Sequence, residues 1–181
     1  MKKLTVLRKT CLLLFIGIII TSCSSDDGGS TSNYLKNVPK GEIVSVGERF
    51  FALTGFDEDA GKGLETSNSQ KWWKYIYGEM EYKCDGEDET EEVESEATYF
   101  AFSPDGTIYY KFELGGMTYA HHQWEWVDNS KSKVRITNEY NQTLVFEFTE
   151  LNHDAVVYAS YQAEEGCSLL TWEQFGNPTY E

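Results

Sequence analysis

The chain has 181 residues, with 15 Lys and Arg against 30 Asp and Glu and a net charge of -15. That length fits one domain with a tail. Ten Phe, five Trp and twelve Tyr supply enough apolar surface for a packed core, which excludes disorder throughout. The acidic balance excludes nucleic-acid binding through a basic face, because phosphates would meet carboxylates.

Lys2, Lys3, Arg8 and Lys9 flank and precede the apolar run Cys11–Ile20. The run suits the core of a signal segment and falls short of the roughly 20 residues a spanning helix needs. Ile20-Thr21-Ser22-Cys23 then resembles the lipobox of bacterial lipoproteins, two small residues before a Cys. The resemblance implies that residues 1–22 are a lipoprotein signal peptide and that the thiol of Cys23 is acylated. It implies an outer-membrane address, at the cell surface or the periplasmic face, with the membrane as partner through the lipid anchor. The rival reading is an ordinary secretory signal with an incidental Cys. Cleavage before Cys23 removes four basic residues and leaves a net charge of -19.

Residues 23–40 read as a flexible tether, being rich in Ser, Gly and Asp. Ser24-Ser25-Asp26-Asp27 is similar to the export signal of Bacteroidota surface lipoproteins, and a plain acidic linker accounts for it equally well. In the mature chain Cys84 and Cys167 are the two cysteines besides Cys23. Thiols outside the cytoplasm oxidise, so a Cys84–Cys167 disulfide is expected, with two free thiols as the alternative. No CxxC or Cys/His spacing points to zinc.

Residues 41–181 read as the folded domain. Alternating apolar and polar residues between turn signals predict eight strands, over 72–82, 97–103, 106–113, 117–127, 132–138, 143–149, 155–162 and 168–175. Ser103-Pro104-Asp105-Gly106 is a strong turn: Pro presets φ, Asp bonds back to the backbone and Gly accepts a positive φ. Short connections make neighbouring strands antiparallel. Closure would remove both sheet edges, so the expected fold is all-β, an antiparallel up-and-down eight-stranded barrel. Parity places Phe100, Phe102, Ile108, Tyr110, Phe112, Val134, Ile136, Leu144, Phe146 and Phe148 inside. In strand 117–127 the face of Ala120, His122, Trp124 and Trp126 is placed inward, with Tyr119, His121, Gln123 and Glu125 outward.

The lipobox, Lys71-Trp72-Trp73-Lys74, the segment Tyr99–Ile108, Trp124-Glu125-Trp126 and Phe146-Glu147-Phe148-Thr149-Glu150-Leu151 together resemble the lipocalin-like (calycin-like) lipoproteins of Bacteroidota. The likeness spans about residues 70–175 and implies an up-and-down barrel, with no particular ligand. Residues 41–70 fit less well. Ile43–Val46 and Arg49–Leu53 read as an extra strand or a short helix over the barrel mouth, and 56–63 as a loop.

The acidic run from Asp85 to Glu96, and Asp57-Glu58-Asp59, carry oxygens but no EF-hand spacing, so a solvated acidic loop is preferred to a calcium site. His121 and His122 are adjacent on a strand and should point to opposite faces, which denies them a shared metal unless a bulge intervenes. No nucleophile elbow, phosphate loop or HExxH is present, and the chain reads as non-catalytic, with no cofactor and no metal. The aromatic surplus carries the functional reading. Trp73, Tyr75, Tyr77, Tyr110, Trp124 and Trp126, with His122, would line a calyx for a small hydrophobic ligand. They could equally fill the lumen, or form an exposed platform for a glycan. The expected function is a monomeric, membrane-anchored binding module. Its rivals are a carbohydrate-binding or protein-interaction β-module of a cell-surface complex.

Overall fold

The chain after residue 70 runs almost wholly in strands. The computed structural model describes residues 33–57, 70–84 and 86–181. The expected signal peptide, Cys23, the first part of the expected tether, Glu58, Asp59 and Asp85 lie outside the described residues. Nine strands follow one another: β1 (Lys71–Cys84), β2 (Glu87–Glu92), β3 (Tyr99–Phe102), β4 (Thr107–Lys111), β5 (Tyr119–Trp126), β6 (Lys133–Thr137), β7 (Thr143–Leu151), β8 (Ala155–Glu164) and β9 (Cys167–Tyr180).

Every pairing is antiparallel between named strands, and β9 returns to β1 over a register from Lys71↔Tyr180 to Cys84↔Cys167. Eight strands therefore close a barrel, and no wall strand is left with a free edge along the closed part. All eight expected strands are present. The ninth, β2, arises in the acidic run that its composition marked as loop. It pairs with the far half of β1, from Glu79↔Glu92 to Cys84↔Glu87, and all six of its residues are exposed.

Beyond Gly78 and Ala159 the strands leave the barrel wall. β1 pairs there with β2 and β9, and β8 continues with β9 alone, without β7. The result is a four-stranded flap rising from one end of the barrel, the end hereafter called the mouth. Cys84 and Cys167 are direct partners at the flap tip and form a disulfide, with Cα atoms 4.1 Å apart.

The other end is plugged. A short helix, α1 (Arg49–Thr54), buries Ala52 and Leu53 in the lumenal core with Trp73, Val156 and Leu151. Its first turn follows Ser45-Val46-Gly47-Glu48, where the Ser45 hydroxyl bonds the Glu48 carboxylate. Its last carbonyls are satisfied one by one. Gly55, left-handed at φ 80°, donates its N–H to the Phe51 carbonyl; the Lys71 ammonium bonds the Ala52 carbonyl at 2.6 Å; and the Trp73 indole bonds that of Leu53 at 2.8 Å. Such orphan carbonyls would otherwise be buried unpaired. Burial lowers the Lys71 pKa to about 8, with Asp154 pulling the other way.

The folded body begins earlier than residue 41. Tyr34, Leu35 and Val38, within the stretch read as tether, pack on the outside of β8 and β9 against Val157, Ala159, Leu170 and Trp172. Val38 is 3% exposed. The chain then runs toward the plugged end, bonding Gly41 to Thr149 and Val44 to Leu151. Ile43 contributes one parallel bridge to Leu151, so the expected extra strand is reduced to that bridge and the helix alternative is the one realised, at the end opposite the mouth.

Candidate functional site

The lumen divides into a dry half and a half-open half. Toward the plug, Trp73, Phe102, Ile108, Trp124, Val134, Phe148, Leu151 and Val156 are all buried. Trp73 is 0% exposed. Trp124 is buried edge-on to Phe102, its indole bonding the Ser103 carbonyl at 3.0 Å. Trp126 meets Trp124 and Phe148, and its buried indole N–H finds no acceptor among the described residues. These three indoles fill the barrel, and no ligand entering from the mouth could reach them without displacing the rings above.

Toward the mouth the rings thin out into solvent. Tyr75, Phe100 and Phe175 meet one another at centroid distances of 5.6–6.4 Å. Above them Tyr110 stacks on Tyr119 at 5.3 Å and meets His121 and Phe112 edge-on at 5.3 and 5.7 Å. Phe100 and Tyr110 are half-buried, while Phe112, Tyr119 and His121 are exposed. The mouth is thus a shallow bowl of rings continuous with the core beneath it.

Two one-residue irregularities decide which side chains share this bowl. In β1, Tyr75 pairs with Phe175 and Tyr77 with Gln174, so Ile76 is an extra residue. Parity flips there, and Tyr77 leaves the lumen for the outer face, where its ring lies 5.4 Å from Trp172. In β5, Ala120 pairs with Tyr109 and His122 with Ile108, so His121 is extra. Tyr119 consequently turns inward onto Tyr110, against the outward placement that strict alternation gives it. A bulge re-aims side chains in this way at sheet ends.

The same bulge brings the two imidazoles together instead of sending them to opposite faces. Their rings stack 3.6 Å apart at 19°, and the Nδ1 of His122 lies 2.9 Å from the His121 carbonyl oxygen. Burial and the neighbouring His122 push His121 down to about 4, while Glu139 opposes the shift; burial lowers His122 as well. The unfolded chain therefore binds a proton below about pH 6.5 that the folded chain refuses until about pH 4. Stability from this pair is complete above that window and is lost as pH falls through it. Urea midpoints taken at pH 7.5 and 5 should fall more in the parent protein than in His121→Gln, and equal falls would remove the pair from the account.

Below the bowl lies a polar knot. The Tyr158 hydroxyl donates to Glu173 at 2.6 Å and the Tyr75 hydroxyl to the Val93 carbonyl at 2.6 Å. Burial and Glu173 push Tyr75 up to about 12, and burial also raises Glu173 against the pull of Tyr158. Gly78 makes room for this knot, since a Cβ there would stand 2.5 Å from the Tyr75 hydroxyl and 3.0 Å from Val93. Nothing in the spacing of the sequence points to the pairing of Tyr158 with Glu173.

Of the seven side chains expected to meet a ligand, Tyr75, Tyr110 and His122 stand together in the mouth half. Trp73, Trp124 and Trp126 lie in the packed half, and Tyr77 stands outside. Phe100, Phe112, Tyr119 and His121 complete the bowl. None of the five indoles is exposed, so the flat Trp platform expected for a glycan surface is not formed. Among the described residues no group of three or more His, Cys, Asp or Glu is placed to hold a metal. No protein-family model matches the chain, and no curated protein is detectably similar to it.

Proposed function

We propose that this protein is a lipid-anchored, non-catalytic lipocalin-like module whose barrel mouth takes up a small hydrophobic molecule. The carrying observation is the asymmetry of the lumen. One end is plugged by α1 and packed dry, while the other presents a continuous set of rings that its own fold leaves half-open. Aromatic surface with a few polar groups at its edge is the usual make-up of a small-molecule site. Here the polar groups are the Tyr110 and Tyr119 hydroxyls and the imidazoles of His121 and His122. The packed lower half limits the ligand to the bowl, so a flat or short apolar molecule fits and a long one buried to the plug does not. The resemblance of Ile20-Thr21-Ser22-Cys23 to a lipobox supports anchoring to a membrane through Cys23.

N-phenyl-1-naphthylamine, which brightens in apolar surroundings, serves as the probe. The full chain should enhance its emission with micromolar affinity, and Tyr110→Asp should weaken binding by about tenfold or more, the scale of one lost buried ring contact. Tyr140→Ala, in the β6–β7 turn, should leave it unchanged. No enhancement, or equal enhancement by the Tyr110 variant, would remove the mouth from consideration.

A further inference from the structure

Glu173 is a carboxylate set among rings in the mouth half of the lumen. It lies two residues from Phe175 on the same face of β9, opposite Gly78 of β1 and Tyr158 of β8, where the flap leaves the barrel wall. Gly78 brings no side chain to that pairing. Tyr75 and Tyr158 meet the Phe175 ring at centroid distances of 5.6 and 5.5 Å. Glu173 is half-buried, more open than Phe175 and Tyr158, which are both buried. Its Oε2 accepts from the Tyr158 hydroxyl at 2.6 Å. Its Oε1 has no donor among the described residues and is not sealed from solvent.

An acid drawn away from water ordinarily has a cation beside it. Among the described residues no lysine, arginine or histidine acts on Glu173. The charges nearby are of its own sign. Glu173 and Glu92 both act on the Tyr75 hydroxyl, and Glu139 acts on the imidazoles of His121 and His122. The fold therefore supplies one half of an ion pair and leaves out the other. The net charge of -15 adds a field that gathers cations around the chain.

We propose that the molecule taken up at the mouth is a small hydrophobic amine, bound as its ammonium ion with an N–H on Glu173 Oε1 and its apolar body on the rings of the bowl. The proposal rests on the reading of the mouth as a binding site and adds the ligand's charge to it. A hydrogen bond from an ammonium to a carboxylate is charge-assisted, and roughly twice as strong as one between neutral groups. The faces of the surrounding Tyr and Phe rings attract the same cation. Tyr158 already holds the carboxylate in place, so little side-chain freedom is lost on binding. A ligand bearing a carboxylate of its own, such as a fatty acid, would meet Glu173, Glu92 and Glu139 and is disfavoured on the same ground.

Three ligands that share one flat body separate the charges: 1-naphthylmethylamine, 1-naphthylmethanol and 1-naphthylacetate. Their affinities for the full chain are measured by equilibrium dialysis at neutral pH and physiological salt, with N-phenyl-1-naphthylamine emission read alongside. The amine should bind about tenfold or more tighter than the alcohol, and the acetate more weakly than either. Glu173→Gln keeps an acceptor for Tyr158 and removes the charge, and it should bring the amine down to the affinity of the alcohol. Glu173→Met should do the same without a polar group to bury, and near-ultraviolet circular dichroism checks that each variant is folded. N-phenyl-1-naphthylamine that still brightens while the three naphthyl ligands bind alike, or not at all, overturns the amine assignment and leaves the mouth site intact. A preference for the amine that survives in either folded variant overturns the role of Glu173. Absence of both brightening and naphthyl binding overturns the mouth site and the amine assignment together.

Discussion

Trp73→Ala will destabilise the protein by about 4–5 kcal/mol, read as a fall in the urea or guanidinium midpoint at neutral pH. The ring is wholly buried where the first barrel strand meets the plugging helix. Its removal leaves a cavity that closed strands cannot collapse to fill, and truncating a buried Trp costs about 3–5 kcal/mol on that account. Two further losses add to it. The Leu53 carbonyl, bonded by the indole at 2.8 Å, becomes an unpaired helix-end group. The Lys71 ammonium, 3.8 Å above the ring centre, loses that face while remaining buried. A domain of this size holds about 5–15 kcal/mol in total, so the variant will be close to its limit. Trp73→Phe separates the contributions, because it keeps most of the volume and removes the N–H. It should lose about 1–3 kcal/mol. A Phe variant as damaged as the Ala variant would show that the hydrogen bond, and not the filled volume, holds the plug in place.

What alternation can reveal, it reveals here: strand positions, the antiparallel order and closure. Phe100, Phe102, Ile108, Phe146 and Phe148 follow a period of two that a half-wet sheet wall enforces, and each lies inside. The errors come where period two is broken by a single residue. An extrapolated parity runs straight through Ile76 and His121, so Tyr77 is read as lumenal and Tyr119 as outward, and both are reversed. A bulge carries little compositional signal, because its cause is the geometry of closing and twisting the sheet and not the side chain at the bulge. The β2 strand is hidden for another reason. Glu and Asp disfavour strands, yet a tight turn at Gly86 folds Glu87–Glu92 back onto β1, where water solvates every carboxylate and an edge of this charge resists pairing with another chain. Tyr34, Leu35 and Val38 are three apolar residues in a polar stretch. Their docking depends on a groove beside Trp172 that exists only once β8 and β9 are paired.

Removing the Cys84–Cys167 disulfide will lower stability by up to about 4.5 kcal/mol, measured as the difference in denaturation midpoint between the oxidised protein and the Cys84→Ser/Cys167→Ser double variant. The bridge joins residues 83 apart in sequence, and in the chain-entropy account a link of that span removes about that much freedom from the unfolded state. Its position argues for a second, local effect. It closes the flap at its far tip, where β1 and β9 have no barrel behind them and β2 adds only an exposed acidic edge. Without the link, the repulsion of Glu79 and Glu92, which face each other across this ribbon, is opposed by backbone pairing, by Lys83 opposite Asp88 and by the contact of Tyr77 with Trp172. Amides of 79–84 and 167–171 should therefore exchange with solvent much faster in the double variant, while those of Phe102, Val134 and Val156 should slow or quicken only with global stability. The two effects are separable. A large drop in midpoint with an unaltered flap places the bridge's action wholly in the unfolded chain. A frayed flap with a drop below about 1 kcal/mol shows that the barrel closes through its own register, and that the bridge serves only the projection above the mouth.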